Sequence, residues 1–114
     1  MISIITAIHN QLSVNELFFE SLQKYTDNQF ELIIIDNCSN DGSTEYFQKK
    51  GAKVIKNTKN YSYPYCQNQG IEIAKGDYLA FLNNDIIVSP DLDKHFIEAI
   101  VKHDLDIISP CGVE

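Results

Sequence analysis

At 114 residues the chain has the length of one domain or of part of one. Nine basic residues, all lysine, face 16 acidic ones for a net charge of −7; with no arginine fork and a repulsive overall field, nucleic acid is excluded as the expected partner. The 44% hydrophobic and 22% charged shares suit a soluble globular chain, and no apolar run reaches the roughly 18 residues of a membrane span, so the expected compartment is the cytoplasm.

The elements alternate along the chain. "ISIITAI" (2–8) is a nearly continuous apolar run, the pattern of a strand buried on both faces. Ser13 with Glu16 three residues later predicts a capping-box start, and Val14, Leu17, Phe18, Leu22 and Tyr25 recur at helical spacing over 14–26. "FELIIID" (30–36) predicts a second buried strand. "DGSTEYFQKKG" (41–51) predicts a short helix capped by Asp41 and stopped by Gly51. "AKVIKN" (52–57) is a weaker third strand. A helix from Pro64 to Ala74 has proline in its first turn and Gly76 just past its end. "DYLAFL" (77–82) is the fourth strand. A helix over 89–104 would take Ser89 as cap and Pro90 as first residue, and "LDIIS" (105–109) predicts a fifth strand. This order gives an α/β fold with a mostly parallel sheet of about five strands and helices on both faces.

Cys38, Cys66 and Cys111 are odd in number and far apart, so three ordinary reduced thiols are expected. His9, His95 and His103 show no metal-binding spacing. In open parallel sheets ligands sit beyond the carboxyl ends of the strands, where the strand order reverses. Three apolar strands end on polar residues: the first at Thr6-Ala7-Ile8-His9-Asn10, the second at Asp36-Asn37-Cys38-Ser39, the fourth at Asn83-Asn84-Asp85. Their meeting at one rim would make a small-molecule site.

"ISIITAIHN", "ELIIIDNCSNDGS" and "NYSYPYCQNQGIEIAKGDYLAFLNND", in this order and spacing, resemble the nucleotide-sugar glycosyltransferases of family 2, which have the Rossmann-like GT-A fold. The resemblance covers nearly all of residues 1–114 and corresponds to the donor-binding half of such a domain, without its C-terminal half. It implies metal-dependent, inverting transfer of a sugar from a nucleoside diphosphate, with a lean to UDP, to an acceptor hydroxyl on a glycan or lipid-linked glycan, as in polysaccharide biosynthesis. A Mg²⁺ or Mn²⁺ ion would offset the charge that develops on the leaving diphosphate.

By the same resemblance Asp85 ends the DxD-type triplet and is the metal ligand, while Asn83 stands where aspartate is frequent and Asn84 would face ribose or phosphates. Asp36 would accept a hydrogen bond from the base, and Thr6 and Ala7 would lie under it. His9 stands where tyrosine is common, and Ser39 would sit at the nucleotide. Asn68, from the family's Asn-x-Gly helix, would reach the donor or brace the loop. Gln67 replaces a frequent arginine and Ser62 a usual glycine, while Asp77 is expected to hold the turn into the fourth strand. The family's general base lies beyond the position of Glu114; Asp104 and Asp106 match no such role and are expected to be solvated charges.

A non-catalytic module that binds a nucleotide sugar or another protein is the alternative. A sugar nucleotidyltransferase would want a glycine-rich basic loop after the first strand, and "TAIHNQLS" has neither glycine nor lysine. An uncovered sheet edge and an apolar patch near residues 89–109 would favour self-association, and placement at the periphery of a membrane is compatible with the resemblance.

Overall fold

The computed structural model describes residues 1–109. Strands β1 (Ile2–Ile8), β2 (Phe30–Asn37), β3 (Lys53–Asn57) and β4 (Tyr78–Phe81) alternate with helices α1 (Leu12–Tyr25), α2 (Ser43–Lys49), α3 (Tyr63–Ile73) and α4 (Leu92–His103). The four strands form one sheet in the order β3-β2-β1-β4, and every pair is parallel, with Ile8 opposite Asp36, Asn37 opposite Asn57 and Ile5 opposite Phe81.

Topology decides which face each helix covers. The chain steps from β1 to β2 to β3 in one direction, then returns to place β4 on the far side of β1. Right-handed crossovers therefore put α1 and α2 on one face and α3 on the other. The side chains agree. Ile2, Ile4, Ile8, Leu32 and Ile34 pack with Phe18, Phe19, Leu22 and Phe47 on the α1–α2 face. Ile5, Ile33 and Ile35 pack with Cys66 on the α3 face. Leu32 to Ile35 are each 5% exposed or less, which is why β2 reads as an unbroken apolar run.

Helix ends are set by tertiary partners more than by the local signals. Helix α1 begins at Leu12, not at a Ser13 capping box, because Gln11 turns in the left-handed region and Asp41 Oδ2 from the β2–α2 turn accepts the Leu12 N–H at 2.9 Å. Asp41 also accepts the Ser43 N–H at 3.1 Å, so one carboxylate serves two helix starts. Burial would raise its pKa, but the donors from Ser43 and Leu12 outweigh burial and lower it. Gly51 stops α2 as expected, at φ 83. Ser62 caps α3 and proline sits in its first turn. Ser89 and Pro90 do not start α4; the helix opens at Leu92 after Asp91 at φ 62. Asp93 reaches instead to the backbone N–H groups of Asp27 and Asn28, tying α4 to the α1–β2 loop.

Residues 105–109 form no strand. Leu105 donates its N–H back to Ile100 O at 3.0 Å and wraps the end of α4, and Ile107 is 86% exposed. An apolar pattern records a capacity for burial but does not supply the strand edge to pair with. Between α4 and β4 lies an open apolar cleft of about 790 Å³ lined by Ile4, Tyr78, Ala80, Val88, Phe96 and Ile97. Cys111 and Glu114 lie outside the described residues.

Candidate functional site

The strand order reverses between β1 and β4, so the carboxyl ends of β1, β2 and β4 form the expected crevice. After β1, Asn10 and Gln11 both adopt left-handed backbone, at φ 56 and 66. That sharp turn sends the chain into α1 and aims Asn10 at the loop after β2. Its N–H donates to Ser39 Oγ and its Oδ1 accepts the Asn40 N–H, each at 2.8 Å.

Asp36, next to last in β2, is fully buried. Its Oδ1 accepts the Ser39 N–H at 2.9 Å and its Oδ2 accepts the Thr44 hydroxyl. Lys56 Nζ stands alongside, 3.3 Å from Ser39 O and 3.4 Å from Thr44 Oγ1. Both carboxylate oxygens thus fold the turn from β2 into α2. Thr6 is equally buried, and strand alternation turns it to the same α1–α2 face.

The turn after β4 joins this frame through Asn15. Asn15 is fully buried in α1; its Nδ2 donates to Asn10 O at 2.9 Å and Ser43 Oγ at 3.0 Å. Its Oδ1 accepts from Asn84 Nδ2 at 2.8 Å. One carboxamide therefore ties the ends of β1 and β4 to the start of α2. Beside Asn84, Asn83 and Asp85 are exposed, and neither side chain has a hydrogen-bond or ion-pair partner among the described residues. No group of three His, Cys, Asp or Glu converges among those residues. An unengaged carboxylate and a neighbouring amide oxygen are hard donors, and Mg²⁺ is characteristically held by one or two carboxylates together with substrate phosphates. The unengaged Asp85 carboxylate and the neighbouring amide oxygen are donors of the type such an ion takes.

On the opposite face, Ala7, Ile8, His9, Asn37, Asn60, Tyr61 and Tyr63 line a hollow of about 270 Å³. Alternation explains the membership: Ala7 follows Ile5, and Asn37 follows Ile33 and Ile35, toward α3. The Asn37 side chain is held from four sides. Its Nδ2 donates to Asn60 Oδ1 at 3.0 Å and Tyr61 O at 3.1 Å. Its Oδ1 accepts from Asn57 Nδ2 at 2.9 Å and the Cys66 thiol at 3.3 Å. Asn57 and Gln69 make a reciprocal amide pair, each contact 2.9 Å. Tyr61 stacks on Tyr65 with centroids 4.3 Å apart. His9 Nδ1 lies 2.6 Å from Asn37 O.

The residues singled out from the sequence thus divide between two sides of one rim. Ala7 and His9 face the hollow, Thr6 and Asp36 the opposite face, and Ser39, Asn83, Asn84 and Asp85 the loops. Asn68 is exposed and its neighbour Gln69 does the bracing. Asp77 pairs with the Met1 amino group at 3.1 Å, at the other end of the sheet. Sequence reasoning did not single out Asn15, Asn57 or Tyr61, and named Asn37 only as part of the polar end of β2. Two amides paired at the ends of β2 and β3, Asn37 and Asn57, were the available signal; Asn15 within α1 and Tyr61 carried none.

No helix among the described residues is long and apolar enough to cross a membrane. The sequence pattern of Glycosyl transferase family 2 matches residues 3–113. An uncharacterized glycosyltransferase of Haemophilus influenzae is 32% identical over 101 residues, covering 88% of this chain and 34% of that protein. The chain therefore spans about a third of the length of that relative. Among solved structures, S. aureus TarS 1–349 in complex with UDP-GlcNAc superposes with TM-score 0.81 at 22% identity, over 99% of this chain and 36% of that one. The mannosyltransferase PcManGT from Pyrobaculum calidifontis, in complex with GDP-Man and Mn²⁺, gives TM-score 0.79 at 13% identity, over 87% of this chain and 32% of that one. The two structural likenesses confirm the Rossmann-like α/β fold, and by the match over residues 3–113 the chain belongs to glycosyltransferase family 2.

Proposed function

We propose that these residues form the donor-nucleotide part of a metal-dependent, inverting glycosyltransferase that uses a UDP-linked sugar. The observation that carries this is the convergence of three strand ends on one rim, held by Asn15 between Asn10, Ser43 and Asn84. The rim offers an aromatic-walled hollow on one side and the unengaged Asp85 on the other. A nucleoside diphosphate laid across it would put its base in the hollow and its phosphates beside Asp85 and Asn83. UDP-GlcNAc and UDP occupy TarS structures of the same fold, and Mn²⁺ accompanies GDP-Man in PcManGT.

In transfer, the acceptor hydroxyl attacks the anomeric carbon and the bond to the diphosphate breaks. A divalent ion would supply positive charge to the departing diphosphate. Asp85 would hold that ion, Asn83 and Asn84 would contact phosphate or ribose, and Asn10 with Ser39 would keep the floor rigid. Neither the base that takes the acceptor proton nor the acceptor site is assigned to the described residues; a glycan or lipid-linked glycan acceptor fits the name of one relative, a putative teichuronic acid biosynthesis glycosyltransferase of Bacillus subtilis.

Titration calorimetry tests the assignment. UDP should bind with Mn²⁺ present and lose most of its affinity in chelator, and Asp85→Ala should erase that difference. Equal binding with and without metal by the unmutated protein would refute the metal assignment, and no binding of UDP under either condition would refute the donor site itself.

A further inference from the structure

The hollow between β1, β2 and the loop before α3 holds a chemical preference of its own. It is too small for a whole sugar nucleotide and suits one planar ring, with Tyr61 and Tyr63 on its wall. Asn37, the polar side chain at its back, has no hydrogen-bonding capacity left. Both its N–H hydrogens go to Asn60 Oδ1 and Tyr61 O, and its oxygen already accepts two donors.

His9 is different. Its Nδ1 lies 2.6 Å from the carbonyl oxygen of Asn37, which can only accept, so Nδ1 carries the proton. In the neutral ring Nε2 is then an acceptor, with no partner among the described residues, on an exposed ring that lines the hollow. Asn60 complements it. Its Oδ1 is taken by Asn37, which turns the amide so that Nδ2, likewise without a partner among the described residues, remains a donor.

We infer that His9 and Asn60 select the donor's base by its lactam edge: Nε2 of His9 accepts a ring N–H while Nδ2 of Asn60 donates to the adjacent carbonyl. The inference rests on the nucleotide-site proposal above and adds to it a selecting residue. Uracil presents that edge. Cytosine, of the same size and on the same diphosphate, keeps the 2-carbonyl but has a lone pair on N3 and an amino group at C4, so the His9 contact becomes lone pair against lone pair and an Asn60 amide facing C4 meets hydrogen against hydrogen. Discrimination comes from a tautomer fixed by the backbone and not from a carboxylate. Asp36 is left out of this contact because it is fully buried, bonded to Ser39 and Thr44, on the face of the sheet opposite the hollow.

The experiment compares UDP, CDP and N3-methyl-UDP binding in the presence of Mn²⁺, using the unmutated protein and His9→Phe. One hydrogen bond lost beside an unpaired group is worth about tenfold in affinity. UDP should bind at least about tenfold tighter than CDP and than N3-methyl-UDP. His9→Phe, which keeps a flat ring but removes the acceptor, should bring UDP down to the level of the other two. The N3-methyl comparison needs no substitution and stands even if the variant fails to fold. Equal affinities for all three nucleotides overturn the role of His9 while leaving the donor site intact. Binding of none of them overturns the donor site and this inference with it.

Discussion

Helix α3 lies so close to β1 that one methyl group should separate them. A Cβ on Gly70 would fall 2.4 Å from Ile5 Cγ2, 3.1 Å from Cγ1 and 3.2 Å from Cδ1, against the roughly 3.5–4.0 Å of ordinary carbon contacts. Two effects oppose each other in Gly70→Ala. Replacing a mid-helix glycine gains about 0.5–1 kcal/mol of helix stability. Overpacking a filled core costs about 1–3 kcal/mol. Ile5 cannot yield cheaply: it is 2% exposed, β-branched and stiff at χ1, and its strand is hydrogen-bonded to β2 and β4. The clash should win, for a net loss of about 1–2 kcal/mol. Urea denaturation measures it, and a double-mutant cycle identifies the cause. Ile5→Ala removes all three clashing atoms, so the paired variant should lose clearly less than the sum of the single losses. If Gly70→Ala stabilises the protein by the ordinary helical increment, the close approach of α3 to β1 is wrong, and the wall of the base hollow is misplaced with it.

Two further outcomes follow from polar contacts. Glu31, its side chain 10% exposed, accepts from Ser3 Oγ at 2.5 Å, Lys53 Nζ at 2.7 Å and the Lys75 N–H at 2.6 Å. Burial would raise its pKa, but these donors outweigh burial and lower it from 4.5 to about 2. A folded pKa below the unfolded one stabilises fully above pH 4.5 and loses that contribution as pH falls toward about 2. Allowing for the exposed Lys53, Glu31→Gln should cost about 2 kcal/mol at pH 7, roughly half of that or less near pH 3 and little by about pH 2; a cost independent of pH would refute the linkage. Asn15→Leu should destabilise by about 1–3 kcal/mol by orphaning Asn10 O and the Asn84 amide, and amide exchange at residues 83–85 should quicken. Unchanged exchange there would show that the β4 turn is held by something else.

Apolar runs and helical spacing placed four strands and four helices; β1 and β2, buried on both faces, left the clearest signal, while β3 and β4 are only half-buried. Helix starts were less legible. Ser13 and Ser89 look like caps in sequence, yet the capping oxygen for α1 comes from Asp41, 29 positions from the Leu12 it serves. The apolar segment after α4 was legible as apolar and not as a strand, since pairing is a property of two segments. At the site, the sequence picked out the three strand ends but not the faces. Asp36 and Asn37 are adjacent in sequence and sit on opposite sides of the sheet, with Thr6 and Ala7 divided in the same way. A carboxylate attracts attention in a sequence, whereas here the amide beside it is the one at the hollow.

That preference for amides has an electrostatic reason. The chain carries −7 and no arginine, while the proposed diphosphate would bring negative charge to the rim. Each bare carboxylate about 4 Å from a phosphate would cost about 4 kcal/mol at an effective dielectric near 20. Carboxamides supply the same density of hydrogen bonds without that field, and Asn10, Asn15, Asn37, Asn57 and Asn84 contribute much of the frame as neutral groups. The carboxylates retained nearby are spent on the chain itself: Asp36 on Ser39 and Thr44, Asp41 on Leu12 and Ser43. Among the described residues at these three strand ends, Asp85 alone presents an unengaged carboxylate. A single free negative charge in a neutral rim is a poor anion site by itself and a sensible place to seat a cation that arrives with its own phosphates. If Asp85 holds the metal proposed above, the negative charge withheld elsewhere on the rim would let it do so without repelling the donor.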